Sequence, residues 1–324
     1  MKCPKCEVNH PAKLGRDCVC GYRFILNPKV DMISDYKMKI LVQKASNMDQ
    51  NFFTFDHLYF TFMRTYLKPT SCLIPIIIIT AVLFGILALA NGFMIFELYV
   101  CGGVFAVLYI ISVLVRPNTK KFKKIYPRAK FLEFFELWDE FYKTEKFISE
   151  TTMENPPPDW KEQDIYDYGV NSIVIVDDDL TVDYMIKNET HTSNQCLILS
   201  ENGYPSYLMG IAKDIREKSS EIPVYYFHRY DPNRQRQNEG LDADCWSFLN
   251  GKYIDIGLDE KSVNEIKVLK DLKFGKNEVI PLSALPPHFL AQSMSLILAG
   301  ELVALTDLAI LGLNPEIMGV MDFG

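Results

Sequence analysis

Two apolar runs dominate what this chain can fold into. Residues 71–89 carry no charged side chain and residues 93–115 carry one, Glu97; only Ala90, Asn91 and Gly92 separate them. Each run is about 20 residues, the length of helix that crosses a bilayer core. A buried hairpin in a soluble domain would need two helices apolar on every face, which is rare outside membranes and large cores. The sequence therefore predicts a two-helix transmembrane hairpin over 71–115.

Charge sets its orientation. Arg64 and Lys68 precede the first run, and seven Lys and Arg residues fall between 116 and 130 with no acid among them. The three-residue link is uncharged. The positive-inside rule then places both ends of the chain in the cytosol, at the inner or plasma membrane of a prokaryote. The basic cluster is also suited to anionic lipid. Glu97 falls one turn into the second run, at headgroup depth; a single carboxylate on two helices makes a poor ion pathway. The polar start of the chain predicts no cleaved signal, and the first run itself serves for insertion.

Four of the eight cysteines fall within the first 20 residues: Cys3-Pro4-Lys5-Cys6, then eleven intervening residues, then Cys18-Val19-Cys20-Gly21. Two tight turns carrying two thiolates each suit a tetrahedral zinc ion, and a site closed by four thiolates is structural rather than catalytic. The second pair is spaced C-x-C instead of C-x-x-C. His10 lies between the pairs, but four cysteines already complete the tetrahedron. Two disulfides would be the alternative, and a cytosolic location opposes them. Residues 1–30 thus resemble a zinc ribbon, with Cys3, Cys6, Cys18 and Cys20 as metal ligands.

The segments on either side of the hairpin read as helices. Ser34 can cap a helix reaching about 46, and Thr54 or Asp56 can start a second, aromatic-rich helix to about 67. That second helix suits either the membrane interface or the surface of the ribbon, and residues 31–70 form a juxtamembrane segment. Residues 116–160 form a stalk and linker. Phe131, Phe134, Phe135, Trp138, Phe141 and Tyr142 recur at helical spacing over 128–149, which predicts packing on the next domain or self-association into a homo-oligomer. Pro156, Pro157 and Pro158 then end any helix and mark a domain boundary.

Residues 161–324 alternate between apolar strands and helices. Strands are expected at 171–176, 195–199 and 224–227, with helices at 180–187 and 206–218 between them. This order implies a parallel α/β sheet with right-handed crossovers. Polar residues collect at the C-terminal strand ends: Asp177-Asp178-Asp179, Glu201-Asn202-Gly203-Tyr204-Pro205, and His228-Arg229-Tyr230-Asp231-Pro232. Open α/β sheets bind ligands there. The acids also suit a plainer role, capping the helix that follows. His228 is expected to be a hydrogen-bonded structural residue. Farther on, 252–257 reads as a strand, 262–269 as a helix, and 279–282 as a short extended segment. Residues 286–311 read as a buried helix broken near Gly300.

The order of strand-acid, strand-Gly-Tyr-Pro and strand-x-x-x-Asp-Pro over 171–233 resembles the Toprim domain. The version it resembles is that of the topoisomerase VI A subunit and of the nuclease subunit of Wadjet-type plasmid defence. In those families three acids at the strand ends hold magnesium. The resemblance implies Asp177 and Asp231 as the catalytic, metal-holding acids and Gly203, Tyr204 and Arg229 as cofactor-binding positions. The departures are specific. Asp177 replaces a glutamate, Arg229 stands where an aspartate would complete Asp-x-Asp, and the hairpin occupies the place of the domain that carries the nucleophilic tyrosine. A guanidinium has no lone pair for a cation; it pairs with Asp177 or Asp231, or takes a phosphate. The arrangement as a whole resembles zinc-ribbon membrane proteins.

Two functions follow from these readings. In the first, the chain is a membrane-tethered scaffold whose ribbon and degenerate, non-catalytic Toprim-like domain bind a cytosolic protein, nucleotide or nucleic acid. In the second it is a membrane-anchored, magnesium-dependent nuclease or phosphotransfer enzyme of the kind used in defence, with Asp177, Asp178 and Asp231 around the metal. The net charge of −7 argues against a non-specific coat on nucleic acid.

Overall fold

The computed structural model describes residues 1–28, 31, 33–67, 82, 103–108, 127–155, 169–219, 221–233, 241 and 244–307. The chain divides into two compact units, Met1–Arg64 with Pro127–Gly324, and Thr65–Tyr126. The predicted hairpin apart from residues 82 and 103–108, Glu97, the basic residues 116–124 and the prolines at 156–158 lie outside the described residues. Among the described residues, no helix is long and apolar enough to cross a membrane.

The sheet of the C-terminal half follows from its apolar runs. Ser172–Val176 (β3), Cys196–Ser200 (β4), Val224–Phe227 (β5) and Ile254–Asp255 (β6) form four parallel strands in the order β4-β3-β5-β6. Every residue of β3 and β4 is buried, as continuous apolar strands covered on both faces must be. Ile173, Ile175, Leu197, Leu199 and Tyr226 pack on one face with Leu208, Ala212, Trp246 and Leu249. Leu208 and Ala212 come from the helix Ser206–Lys218 that joins β4 to β5. The helix Asp179–Lys187 joins β3 to β4. Strand order reverses at β3, so the two crossovers leave the sheet on opposite sides. The crevice this opens lies beyond the carboxyl ends of β3 and β5.

The later elements differ in detail from expectation. The strand at 252–257 shortens to two residues. The helix expected at 262–269 is two short helices, Glu260–Glu265 and Lys267–Leu272, because Ile266 adopts an extended backbone between them. Within the predicted 286–311 helix, the described residues form a helix over Pro287–Leu298, which ends two residues before Gly300, whose φ of +75° is left-handed. Tyr230 and Ile280 form an antiparallel bridge.

The N-terminal helices pack in ways local sequence does not reveal. Helix Asp35–Ala45 (α1) is capped by Ser34, whose Oγ accepts from Lys37 N. It lies on the ribbon: Lys39 Nζ donates to the Pro4 carbonyl at 2.8 Å, and Asp35 accepts from the Ile25 and Leu26 amides. Helix Phe55–Leu67 (α2) seats its aromatics on helix Arg128–Tyr142 (α3), with Phe62 stacked on Phe131 at 4.3 Å. The His57 ring meets Tyr184 of the α/β half at 4.3 Å, and Arg64 donates to the Ala284 carbonyl at 2.7 Å. Thus α2 packs on α3 and the sheet's covering layer, and α1 takes the place on the ribbon. Strands Phe53–Thr54 (β1) and Phe147–Ile148 (β2) join these parts as a two-stranded parallel sheet.

Candidate functional site

Two places gather chemistry-bearing side chains. The first is the cysteine cluster. Cys3, Cys6, Cys18 and Cys20 bring their sulfurs within 4.8 Å of one another. Each pair comes from a tight turn. In the first, Cys3 N donates to Val8 O and Glu7 takes the left-handed region at φ +59°. In the second, Cys18 N donates to Tyr22 O and Gly21 takes φ +80°. Cys3–Cys20 and Cys6–Cys18 sulfurs lie 3.5 and 3.6 Å apart, and all four thiols are free. A disulfide would need about 2.05 Å. The edge of a tetrahedron with metal–sulfur bonds of about 2.3 Å is about 3.8 Å, so the four thiols fit one zinc-sized ion. The C-x-C spacing does not prevent closure. His10 stays outside: its Nε2 pairs with the Gly15 carbonyl at 3.1 Å and its ring stacks on Phe24.

An aromatic side chain packs on this cluster from outside the ribbon. Tyr142, the last residue of α3, packs against the core formed by Cys3, Cys18, Tyr22 and Phe24. Its hydroxyl is buried with no hydrogen-bond partner among the described residues. Burial first, and then the charges of Cys3 and Cys20, push this phenol up. An unpaired buried hydroxyl of this kind costs about 1–3 kcal/mol.

The second place is the sheet edge. Asp177 directly follows β3 and its side chain is almost fully buried. Its Oδ2 accepts from the Arg229 backbone amide at 2.9 Å, and Arg229 Nε lies 3.8 Å away. Burial pushes its pKa up to about 6, against the pull of the Arg229 amide and guanidinium. The Arg229 side chain is 43% exposed, although its Nε is buried and not hydrogen-bonded. Asp178 is the helix cap, accepting from Thr181 N at 2.9 Å. Asp231 closes its own turn, accepting from Asn233 N at 2.9 Å. His228 joins Asp255 at 2.9 Å and the Arg229 carbonyl at 2.7 Å. Burial opposes the charged ring, but Asp255 and that carbonyl outweigh it and raise the His228 pKa.

The Gly-Tyr-Pro turn is occupied internally. Gly203 takes φ +81° at the end of β4. Tyr204 Oη donates to Asp183 at 2.5 Å and accepts from Met153 N at 2.6 Å. Asp183, fully buried, also accepts from Thr152 N and Oγ1. Ser206 Oγ bonds Glu154. These contacts strap residues 152–154 across the turn. Asp183 went unnoticed in the sequence; the signal was an acid within an otherwise buried helical run, Val182 to Ile186.

The structure thus brings together the four cysteines, and separately Asp177 with Arg229. Among the described residues, the cysteines are the group of metal-ligating side chains that converges on one point. No known protein family, curated protein or solved structure matches the chain.

Proposed function

We propose that this protein is a membrane-tethered scaffold in which a zinc-stapled ribbon and a degenerate, non-catalytic Toprim-like sheet act as binding surfaces. The hairpin at 71–115 supplies the tether, and both ends of the chain lie in the cytosol. The observation that carries the non-catalytic reading is the capture of Asp177 by Arg229. A carboxylate turned onto a backbone amide, beside a fixed positive charge, is poorly placed to hold magnesium, which draws on oxygen ligands. Asp178 and Asp231 each commit one carboxylate oxygen, to a cap and to a turn.

The rim also indicates the kind of partner. Among the described residues, Asp177, Asp178, Asp179, Glu201, Asp231 and Asp255 lie at or just beyond the carboxyl ends of the strands, with Arg229 against Asp177 and His228 against Asp255. A rim so acidic disfavours phosphate-rich ligands, so a basic protein segment fits better than a nucleotide or nucleic acid. The test is a cleavage assay: full-length protein incubated with supercoiled plasmid and magnesium or manganese. The plasmid stays intact on this reading. Cleavage that disappears in Asp177→Ala overturns it in favour of a membrane-anchored magnesium nuclease.

A further inference from the structure

His228 stands between two acceptors. Its Nδ1 lies 2.7 Å from the Arg229 carbonyl and its Nε2 lies 2.9 Å from Asp255 Oδ1. A carbonyl and an ionised carboxylate accept hydrogen bonds and cannot donate them. Both ring nitrogens therefore carry protons in this arrangement, and the ring is an imidazolium. Its surroundings hold it in place. A Cβ at Gly257 would fall 2.0 Å from Nε2, so the glycine makes room for the ring, and the Tyr226 ring lies 5.0 Å away. Asp255 Oδ1 also accepts from the Gly257 amide at 3.0 Å, so one oxygen fixes both the ring and the turn that admits it. Charged groups act on the ring from three strands: Asp255 in β6, Asp177 after β3, and the adjoining Arg229 after β5.

We infer that His228 is a proton-operated tie at the rim: as an imidazolium it fastens the end of β5 to Asp255 of β6, and on losing its Nε2 proton it releases Asp255 and takes one positive charge from the rim. The Nε2 proton is the one that leaves. Asp255 is 55% exposed and can turn to water, whereas the Arg229 carbonyl holds Nδ1 at the shorter distance. The strand that is tied has little else to hold it: β6 is two residues long, both exposed, at the end of the sheet. Burial works against the charged ring, but Asp255, the Arg229 carbonyl and Asp177 together raise its pKa above the ordinary 6.5. The tie is therefore complete below that ordinary value and lost as pH rises through the raised one. Asp177, with its pKa of about 6, ionises first on the same rise. The tie works in the same way whichever partner the rim serves.

The experiment is an NMR pH titration of the full-length protein in mild detergent, with isotope-labelled histidine and aspartate. The chain has five histidines, and His228→Gln identifies the signal of interest by its loss. Wild-type His228 is expected to titrate above the ordinary range, with both ring nitrogens protonated at low pH. At high pH its proton stays on Nδ1, the reverse of the tautomer a histidine in water favours. The Asp255 carboxyl carbon shifts with the same midpoint. Asp255→Asn keeps an acceptor for the Gly257 amide and removes the charge, and it brings the His228 midpoint down to the ordinary value or below. A neutral His228 protonated on Nε2, an Asp255 signal that does not follow the ring, or a midpoint unchanged in Asp255→Asn overturns the inference. The wild-type measurements alone decide the first two, so the test does not depend on a variant that folds.

Discussion

Asp177 shows at single-residue scale how position changes chemistry. Its folded pKa of about 6 lies above the ordinary 3.8, because burial penalises the charge more than Arg229 relieves it. A group with a raised folded pKa binds its proton more tightly when folded. Its stabilising contribution is therefore complete below about pH 4 and lost as pH rises through about 6. Asp177→Asn keeps an acceptor for the Arg229 amide and removes the charge. It is expected to be more stable than wild type at pH 7.5, by up to about 3 kcal/mol, and equal near pH 3.5. Denaturant unfolding of both proteins at the two pH values checks this; equal stability at pH 7.5 contradicts it. The sequence made Asp177 conspicuous and even offered Arg229 as its partner. It did not reveal that the backbone amide of Arg229, rather than the guanidinium, makes the shorter contact.

At the scale of elements, the sheet edge is held by close approach. A Cβ added at Gly257 would fall 2.0 Å from His228 Nε2, so the glycine is required for the ring to rest there. Gly257→Ala is expected to displace His228 from Asp255 and return its titration toward an ordinary histidine, read by NMR. An unshifted His228 titration would refute the dependence. The strands at 172–176, 196–200 and 224–227 were legible because continuous apolar runs bounded by polar turns have few alternatives. The start of α1 was legible because Ser34 caps it. The two-residue strands β1 and β2 were not, since two residues carry no period. Nor was the seat of α2, whose partners in α3 and at Tyr184 lie more than 60 residues away in sequence. The break at Ile266 was hidden because Val263, Ile266, Val268 and Leu269 continue an apolar helical pattern through it.

Across the whole molecule, ribbon and sheet belong to one compact unit that is interrupted in sequence by residues 65–126. The N-terminal part supplies α1 and α2, the return segment supplies α3 and β2, and the α/β half receives both. A partner bound at the acidic rim would therefore engage a body built from both sides of the predicted hairpin. Four cysteines are placed to hold a metal such as zinc, and separately Asp177 is held by Arg229; on the proposed reading the first staples the ribbon and the second excludes magnesium. The most direct test is calorimetric titration of magnesium into zinc-loaded, full-length protein, alongside Arg229→Asp. Wild type is expected to show no saturable heat at about 10 mM, well above the affinity of a working site, whereas Arg229→Asp restores an acid and gains one magnesium. Saturable binding by wild type that is lost in Asp177→Ala would contradict the account.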